Sequence, residues 1–270
     1  MKKALIATAA VAVLAAAVVV WFVVRTPANR SPGCTVAAIS GSTDFALAPD
    51  QAGYAATITA VGLQLGMPDH AVTVALATAM QESHLSNLSG GDRDSAGLFQ
   101  QRPSQGWGTY AQVTDPVHAS TAFYDHLRTL PGWQQLSVTE AAQQVQHSAA
   151  PDAYAQWEPE ARAVAVALTG ETAAALTCHD LAVGAPTTSL TELATAEWGT
   201  SSLSGPHPTA RGWAISGWLV AHAIGLGVDK VSFAGRTWTA ATGTWTVAGP
   251  DVESVSWHQV PASSGQPGQG

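Results

Sequence analysis

The sequence predicts an N-terminal transmembrane helix, then an all-α domain, then a small α+β module. Three observations predict this fold class: an uncharged apolar run opens the chain, helical periodicity fills its middle, and six of the ten tryptophans lie beyond residue 190 among short alternating runs. The expected bounds are 1–25 for the transmembrane helix, 26–33 for a linker, 34–180 for the all-α domain, 181–204 for a second linker, 205–261 for the module and 262–270 for a disordered tail.

The apolar run covers residues 4–24, contains no charge, and ends at Arg25. About 20 apolar residues can cross a hydrocarbon core as a helix, whereas the apolar part of a cleaved signal peptide has about 7–15. We interpret the run as an uncleaved signal anchor that contacts the membrane through residues 4–24 and leaves the bulk of the chain extracytoplasmic. The alternative is a long signal peptide cleaved near Ala28, which would leave a secreted protein.

The middle of the chain carries helical signals at regular intervals. Tyr54, Ile58, Val61 and Leu65 recur at i, i+4, i+7 and i+11, which is one stripe of a helix. The loop over 86–114 is long for a compact domain, which is typical of functional loops. Further helices are predicted from Pro68-Asp69, from the N-cap and proline pair Asp115-Pro116, from the capping-box pair Ser137 and Glu140, and from Asp152 to Leu168 before Gly170.

The chain has two cysteines, Cys34 and Cys178, near the two ends of the helical region. In a chain placed outside the cytoplasm, this position predicts a disulfide between them. A lipidated Cys34 is the alternative, but "RSPGC" lacks the leucine expected three residues before such a cysteine.

Composition and residue spacing argue against a nucleic-acid partner and against a metal site. The net charge of −8 argues against a nucleic-acid partner, which requires a basic face. None of the nine histidines stands four residues from another, and there is no H-E-x-x-H motif or close cysteine pair. We therefore predict no metal site and no cofactor.

The C-terminal part is predicted to combine one helix with strands. The segment "GWAISGWLVAHAIGLGV" has a helical pattern, and "KVSFAG", "RTWTA" and "ESVSWHQV" alternate as strands do. The stretch "WLVAHAIGLGVDKVSFAGRTW" resembles the end of carboxypeptidase-like zinc domains found in wall-active actinobacterial proteins. Those domains need an upstream aspartate, and none occurs from Leu181 to Val228. The resemblance therefore implies a metal-less accessory module.

Glu82 is the single acid at the end of the apolar run "ALATAM". The negative end of a helix dipole and apolar neighbours both favour the protonated form of a carboxyl group. A general acid for glycosidic cleavage needs that form. The simpler interpretation, a half-exposed glutamate at a helix end, stays open from the pattern alone.

The segments "ALATAMQESHLSN" and "DSAGLFQQRP" resemble the lysozyme-like fold of soluble lytic transglycosylases and goose-type lysozymes, over about residues 50–170. The resemblance implies that Glu82 is the catalytic acid, Ser83 its structural neighbour, and Gly97 to Gln100 the segment that lines the cleft. Phe99 departs from the family's usual methionine, and Tyr154 is the candidate for a tyrosine that the family places in an Ala-Ala-Tyr-Asn-Ala-Gly segment. The substrate-binding residues that we expect are Ser95, Gln100, Gln101, Trp107, Tyr110 and Tyr154.

The resemblance leaves the second chemical step open. Asp92 and Asp94 are candidates for positioning a water molecule, which would give a hydrolase. Without a second carboxylate, the substrate's own hydroxyl group attacks, as in the family's transglycosylases. The two aspartates beside Arg93 also fit a plain polar loop.

These observations predict a membrane-anchored, extracytoplasmic enzyme that cleaves peptidoglycan glycan strands, either as a lytic transglycosylase or as a muramidase. A non-catalytic protein that binds the cell wall or acts as a scaffold, and that keeps the lysozyme-like fold, is the alternative. Glu82 favours the enzyme, whereas the unmatched tyrosine segment and the metal-less module leave room for the scaffold.

Overall fold

The computed structural model describes residues 31–39 and 43–261. The described residues from Pro32 onwards group into one compact unit. The helices are α1 (Pro49–Gln64), α2 (Asp69–Ser83), α3 (Tyr110–Val113), α4 (Pro116–Thr129), α5 (Val138–Gln146), α6 (Glu158–Thr169), α7 (Leu190–Trp198), α8 (Thr209–Ala221) and α9 (Ala223–Leu226). The strands are β1 (Gly33–Val36), β2 (Phe45–Leu47), β3 (Leu176–His179), β4 (Gly205–Pro206), β5 (Val228–Phe233), β6 (Arg236–Thr239), β7 (Thr244–Val247) and β8 (Ser254–Gln259). Short 3₁₀ turns lie at Pro103–Gln105, Trp133–Gln135 and Ala155–Trp157.

Helix α2 lies at the centre of the helical layer and packs against α1, α5 and α6. Its middle turns are buried around their whole circumference. The abundance of alanine and valine in this helix explains the arrangement, because small side chains allow neighbouring helices to approach closely. Helix α2 therefore supplies a rigid support for the residue at its C-terminal end.

The capping signals in the sequence agree with the helix boundaries. Asp115 caps α4 by accepting from the backbone N–H of His118 at 2.7 Å, and Ser137 and Glu140 form the capping box of α5. Helix α6 ends at Gly170, which has a φ of 80°. The start of α6 is the exception: it begins at Glu158 rather than at Asp152, because the preceding residues form turns.

The prediction of an all-α domain in the middle of the chain is wrong. Strands β1, β2 and β3 form an antiparallel sheet in the order β2-β1-β3. Cys34 in β1 pairs with Cys178 in β3, and their disulfide is present, as predicted. Each strand has only three or four residues, which is too short for a period to be recognised, and the two cysteines are 144 residues apart.

The predicted fold class also included a membrane-spanning helix. Within 31–39 and 43–261, no helix is long and apolar enough to cross a membrane. The helix predicted over residues 4–24 lies outside the described residues, as does the predicted tail over 262–270.

The C-terminal part contains helix α8 and an antiparallel sheet in the order β4-β8-β5-β6-β7. Helix α8 packs against α1 and α6, so its apolar residues join the core of the helical layer. Two indoles connect this sheet to β3: Trp238 donates to the carbonyl of Cys178 at 3.1 Å, and Trp245 donates to that of Leu176 at 2.8 Å. Helix α7 lies within the stretch that the sequence assigned to a linker.

Candidate active site

Glu82 is the penultimate residue of α2, which ends at Ser83. His84 and Leu85 both have a φ of 54°, in the left-handed region that few residues other than glycine adopt. The hydroxyl of Ser83 lies 2.7 Å from the carbonyl oxygen of Leu98, to which it can donate a hydrogen bond. Ser83 thus ties the end of α2 to the segment that the resemblance places in the cleft, which fixes the position of Glu82.

Tyr154 lies against Glu82. Its hydroxyl donates a hydrogen bond of 2.7 Å to Oε1 of the glutamate, and its ring is fully buried. Burial raises the pKa of Tyr154, and the bond to the Glu82 carboxyl raises it further, so the phenol keeps its proton. One oxygen of Glu82 is therefore held in place, while the side chain remains half-buried and lines a cleft.

The cleft has a volume of about 570 Å³ and polar walls. The loop after α2 forms one wall with Asp92, Ser95, Gln100, Gln101 and Trp107, all of which the sequence indicated as site residues. The end of α5 and the turn after it form the opposite wall, which sequence analysis did not indicate. The additional lining residues are Arg102, Gln105, His126, Val145, Gln146, His147 and Ser148.

Hydrogen bonds from Gln100 and Gln101 to backbone carbonyls hold the wall that the loop after α2 forms. Ser95 donates to Oε1 of Gln100 at 3.0 Å, and Nε2 of Gln100 donates to the carbonyl of Gly97 at 3.2 Å. Gln101 is buried and donates to the carbonyl of Ala119 at 3.0 Å, whereas its Oε1 has no partner among the described residues. This wall is preorganised, and it has one buried acceptor without a donor among the described residues.

Trp107 and Tyr110, two aromatic residues that the sequence indicated as substrate-binding, differ in their position relative to the cleft. Trp107 lines the cleft and stacks on His126 with ring centroids 4.0 Å apart. Tyr110 is 54% exposed and donates to the carbonyl of Ser89 at 2.8 Å, away from the lining of the cleft. Trp107 is therefore the aromatic surface available to a ligand in the cleft.

The two aspartates that were candidates for positioning water have different environments. Asp94 does not line the cleft; it accepts hydrogen bonds from the backbone N–H and the hydroxyl of Ser104, at 2.7 and 2.9 Å, and from Arg102 at 3.0 Å. The bonds from Ser104, followed by the bond from Arg102, lower the pKa of Asp94 to about 2. Asp92 does line the cleft, with a side chain that is 90% exposed.

The site can therefore present one half-buried carboxyl group, held by a tyrosine, to a ligand in a cleft with polar walls. Such walls suit a ligand with many hydroxyl and amide groups. Asp92 is the other carboxylate in the lining, and it is largely solvated. No family model matches the chain, and no curated protein matches it.

Proposed function

We propose that the protein is an extracytoplasmic glycosidase that cleaves peptidoglycan glycan strands between N-acetylmuramic acid and N-acetylglucosamine, with Glu82 as the general acid. The observation that carries the proposal is the geometry of Glu82: a half-buried carboxyl group at the end of a buried helix, bonded by Tyr154 and facing a polar cleft. The likeness of the two segments around Glu82 and Gln100 to lytic transglycosylases supports the choice of substrate.

The proposed first step breaks the glycosidic C–O bond. Because Tyr154 bonds Oε1 of Glu82, the other oxygen, Oε2, is the one that carries the transferable proton. Glu82 donates this proton to the leaving oxygen as the bond breaks, and the sugar acquires oxocarbenium character. The hydrogen bond from Tyr154 then stabilises the negative charge that develops on the carboxylate.

The second step adds a nucleophile to the anomeric carbon. Asp94 is held by Ser104 and Arg102, and Asp92 is exposed, so the cleft lacks a buried second carboxylate among the described residues. We therefore favour attack by a hydroxyl group of the same sugar, whose proton returns to the Glu82 carboxylate. The product is an anhydro sugar, and the acid is regenerated for the next cycle.

The disulfide is consistent with the same setting. Disulfides form and persist outside the reducing cytoplasm, and peptidoglycan also lies outside it. Cys34 and Cys178 are both buried and are joined by a disulfide. A glycan-cleaving enzyme in that compartment would meet its substrate directly.

The test is digestion of purified peptidoglycan by the full chain, followed by mass spectrometry of the released fragments. We expect fragments lighter by one water than hydrolysis products, and a rate that falls by roughly 100-fold or more in Glu82→Gln. The matched control is Glu158→Gln, an exposed glutamate at the start of α6 that should cleave at the wild-type rate. Wild-type activity in Glu82→Gln would contradict the assignment, and glycan binding without cleavage by the wild-type chain would favour the scaffold.

A further inference from the structure

A second cavity of about 600 Å³ shares no lining residue with the cleft. It lies where the N-terminal ends of α1 and α4 and one face of α7 meet the junction of α8 and α9. Much of its wall is apolar, and Ile224 remains 41% exposed at the surface. The apolar side chains in the wall include Pro49, Tyr54, Pro116, Val117, Leu193 and Ile224.

The charged groups of this cavity all have one sign. Asp50, Asp115, Glu192 and Glu197 line it, together with His222, and its lining contains no lysine or arginine. Asp50 and Glu192 are exposed, so their carboxylates lie where an approaching ligand would meet them. A cavity with this charge attracts cations and repels anions.

Glu197 is the carboxylate at the bottom of the cavity. It is only 1% exposed, and it accepts hydrogen bonds from the hydroxyl of Thr57 at 2.7 Å and from the indole N–H of Trp218 at 2.6 Å. Both donors are neutral groups. A buried carboxylate is costly unless a positive charge compensates it, and each oxygen of Glu197 can still accept a second hydrogen bond.

His222 is the sole ion-pair partner of Glu197 in the part of the chain that the structure describes. Its Nε2 lies 3.6 Å from the carboxylate, beyond hydrogen-bond distance, and has no other partner. A histidine is positive only when it is protonated, so it is not a permanent cation. The buried Nε2 of His222 thus lacks a hydrogen-bond partner, and it lies beside a buried carboxylate that no permanent cation compensates.

We infer that this cavity binds an apolar ligand that carries an ammonium group. The apolar body packs against the wall that includes Tyr54, Leu193 and Ile224, and the ammonium group donates to Glu197 at the bottom. Asp50 and Glu192 draw the cation inwards. This inference does not depend on the proposed cleavage reaction, because no residue of the cavity belongs to the cleft.

The first experiment compares three probes of equal chain length by isothermal titration calorimetry on the full chain at neutral pH: n-octylammonium, n-octanol and n-octanoate. We expect octylammonium to bind roughly 10-fold or more tightly than octanol, a factor that one favourable charge interaction provides, and octanoate not to bind. Equal affinities for the three probes, or no binding of octylammonium, would overturn the inference.

The second experiment fills the cavity. Gly225 lines it, and a Cβ atom there would lie 3.5 Å from Oγ1 of Thr188, an ordinary contact. We expect Gly225→Met to weaken octylammonium binding by about 10-fold or more, since the side chain occupies the site of the ligand. The matched control is Gly184→Met, at an exposed glycine outside the cavity with open space around it, which should bind like the wild type. Undiminished binding in Gly225→Met would locate the ligand elsewhere and overturn the inference.

A third variant keeps the inference testable if Gly225→Met fails to fold. Asp50→Asn combined with Glu192→Gln removes two exposed charges without changing a buried contact. We expect weaker binding of octylammonium by several-fold, with the affinity for octanol unchanged. An unchanged octylammonium affinity would contradict the role of charge. Glu82→Gln should bind all three probes like the wild type, which separates this test from that of the proposed enzyme.

Discussion

The hydroxyl of Tyr154 donates a hydrogen bond of 2.7 Å to the Glu82 carboxyl group, joining the end of α2 to a segment 72 residues later. Tyr154 is fully buried and Glu82 is half-buried, so this contact lies in an environment that is partly shielded from water. Hydrogen bonds to charged groups are stronger there than in solvent. The hydrogen bond between Tyr154 and Glu82 therefore both holds the end of α2 and contacts the proposed catalytic carboxyl group.

We predict that Tyr154→Phe reduces peptidoglycan cleavage by roughly 100-fold, the scale for removal of one donor that stabilises a developing charge. The phenylalanine ring keeps the packing but leaves the Glu82 carboxylate without its donor. Initial rates on purified peptidoglycan measure the effect. The control is Tyr110→Phe, whose lost hydroxyl bonds an exposed carbonyl of Ser89 and should leave the rate unchanged. Equal rates for the two variants would mean that the Tyr154 hydroxyl plays no part.

We predict that Glu82→Gln unfolds at the wild-type temperature or slightly above it. The glutamine carbonyl still accepts the hydrogen bond from Tyr154, and a carboxylate at the negative end of a helix does not stabilise the fold. Glu82→Ala should instead lose about 1–3 kcal/mol, because it leaves the buried Tyr154 hydroxyl without an acceptor. Thermal unfolding measures both. A large loss of stability in Glu82→Gln would show that the negative charge itself supports the fold.

We predict that Asp94 makes the stability of the protein sensitive to acid. Its pKa is lowered to about 2 in the folded protein, from an unfolded value of about 3.9, so the folded state favours the charged form. This stabilisation is fully present above the unfolded pKa and is lost as the pH falls through about 2. Asp94→Asn should therefore lose less stability than the wild type between about pH 4 and pH 2. Parallel pH dependences in urea unfolding would contradict this role.

We predict that the double variant Cys34→Ala, Cys178→Ala loses about 5 kcal/mol of unfolding free energy, the chain-entropy contribution expected for so long a closed loop. Denaturant unfolding with and without a reducing agent measures it. The wild type should lose stability on reduction, whereas the double variant should not respond. Two reactive thiols in the denatured, unreduced wild-type chain would show that the disulfide is absent.

The long helices could be predicted because their signals are local. The caps at Asp115 and Ser137 and the stop at Gly170 each depend on neighbours within one turn. The strands β1, β2 and β3 could not, because each is only three or four residues long and β3 pairs with β1 from 144 residues away, as Cys34 and Cys178 show. The all-α prediction therefore failed where pairing is long-range.

In the candidate site, too, the residues with local sequence signals could be predicted, and those that depend on the tertiary fold could not. The loop from Ser95 to Trp107 follows Glu82 closely, so a local motif indicated one wall of the cleft. The opposite wall, at His147 and Ser148, is a helix end and a turn, and nothing in their sequence indicates what they face. Asp94 shows a further limit: its carboxylate is occupied by Ser104 and Arg102, a fact that depends on the conformation of the loop.

The two indole hydrogen bonds from Trp238 and Trp245 to strand β3 have a practical consequence for dissecting the chain. A deletion after residue 180 would leave the carbonyls of Leu176 and Cys178 without these donors, and it would uncover the faces of α1 and α6 on which α8 packs. Exposed apolar patches of this kind cause aggregation. A shortened protein would therefore be a poor substitute for the full chain, and inactivity in such a fragment would reflect misfolding rather than the absence of a catalytic group.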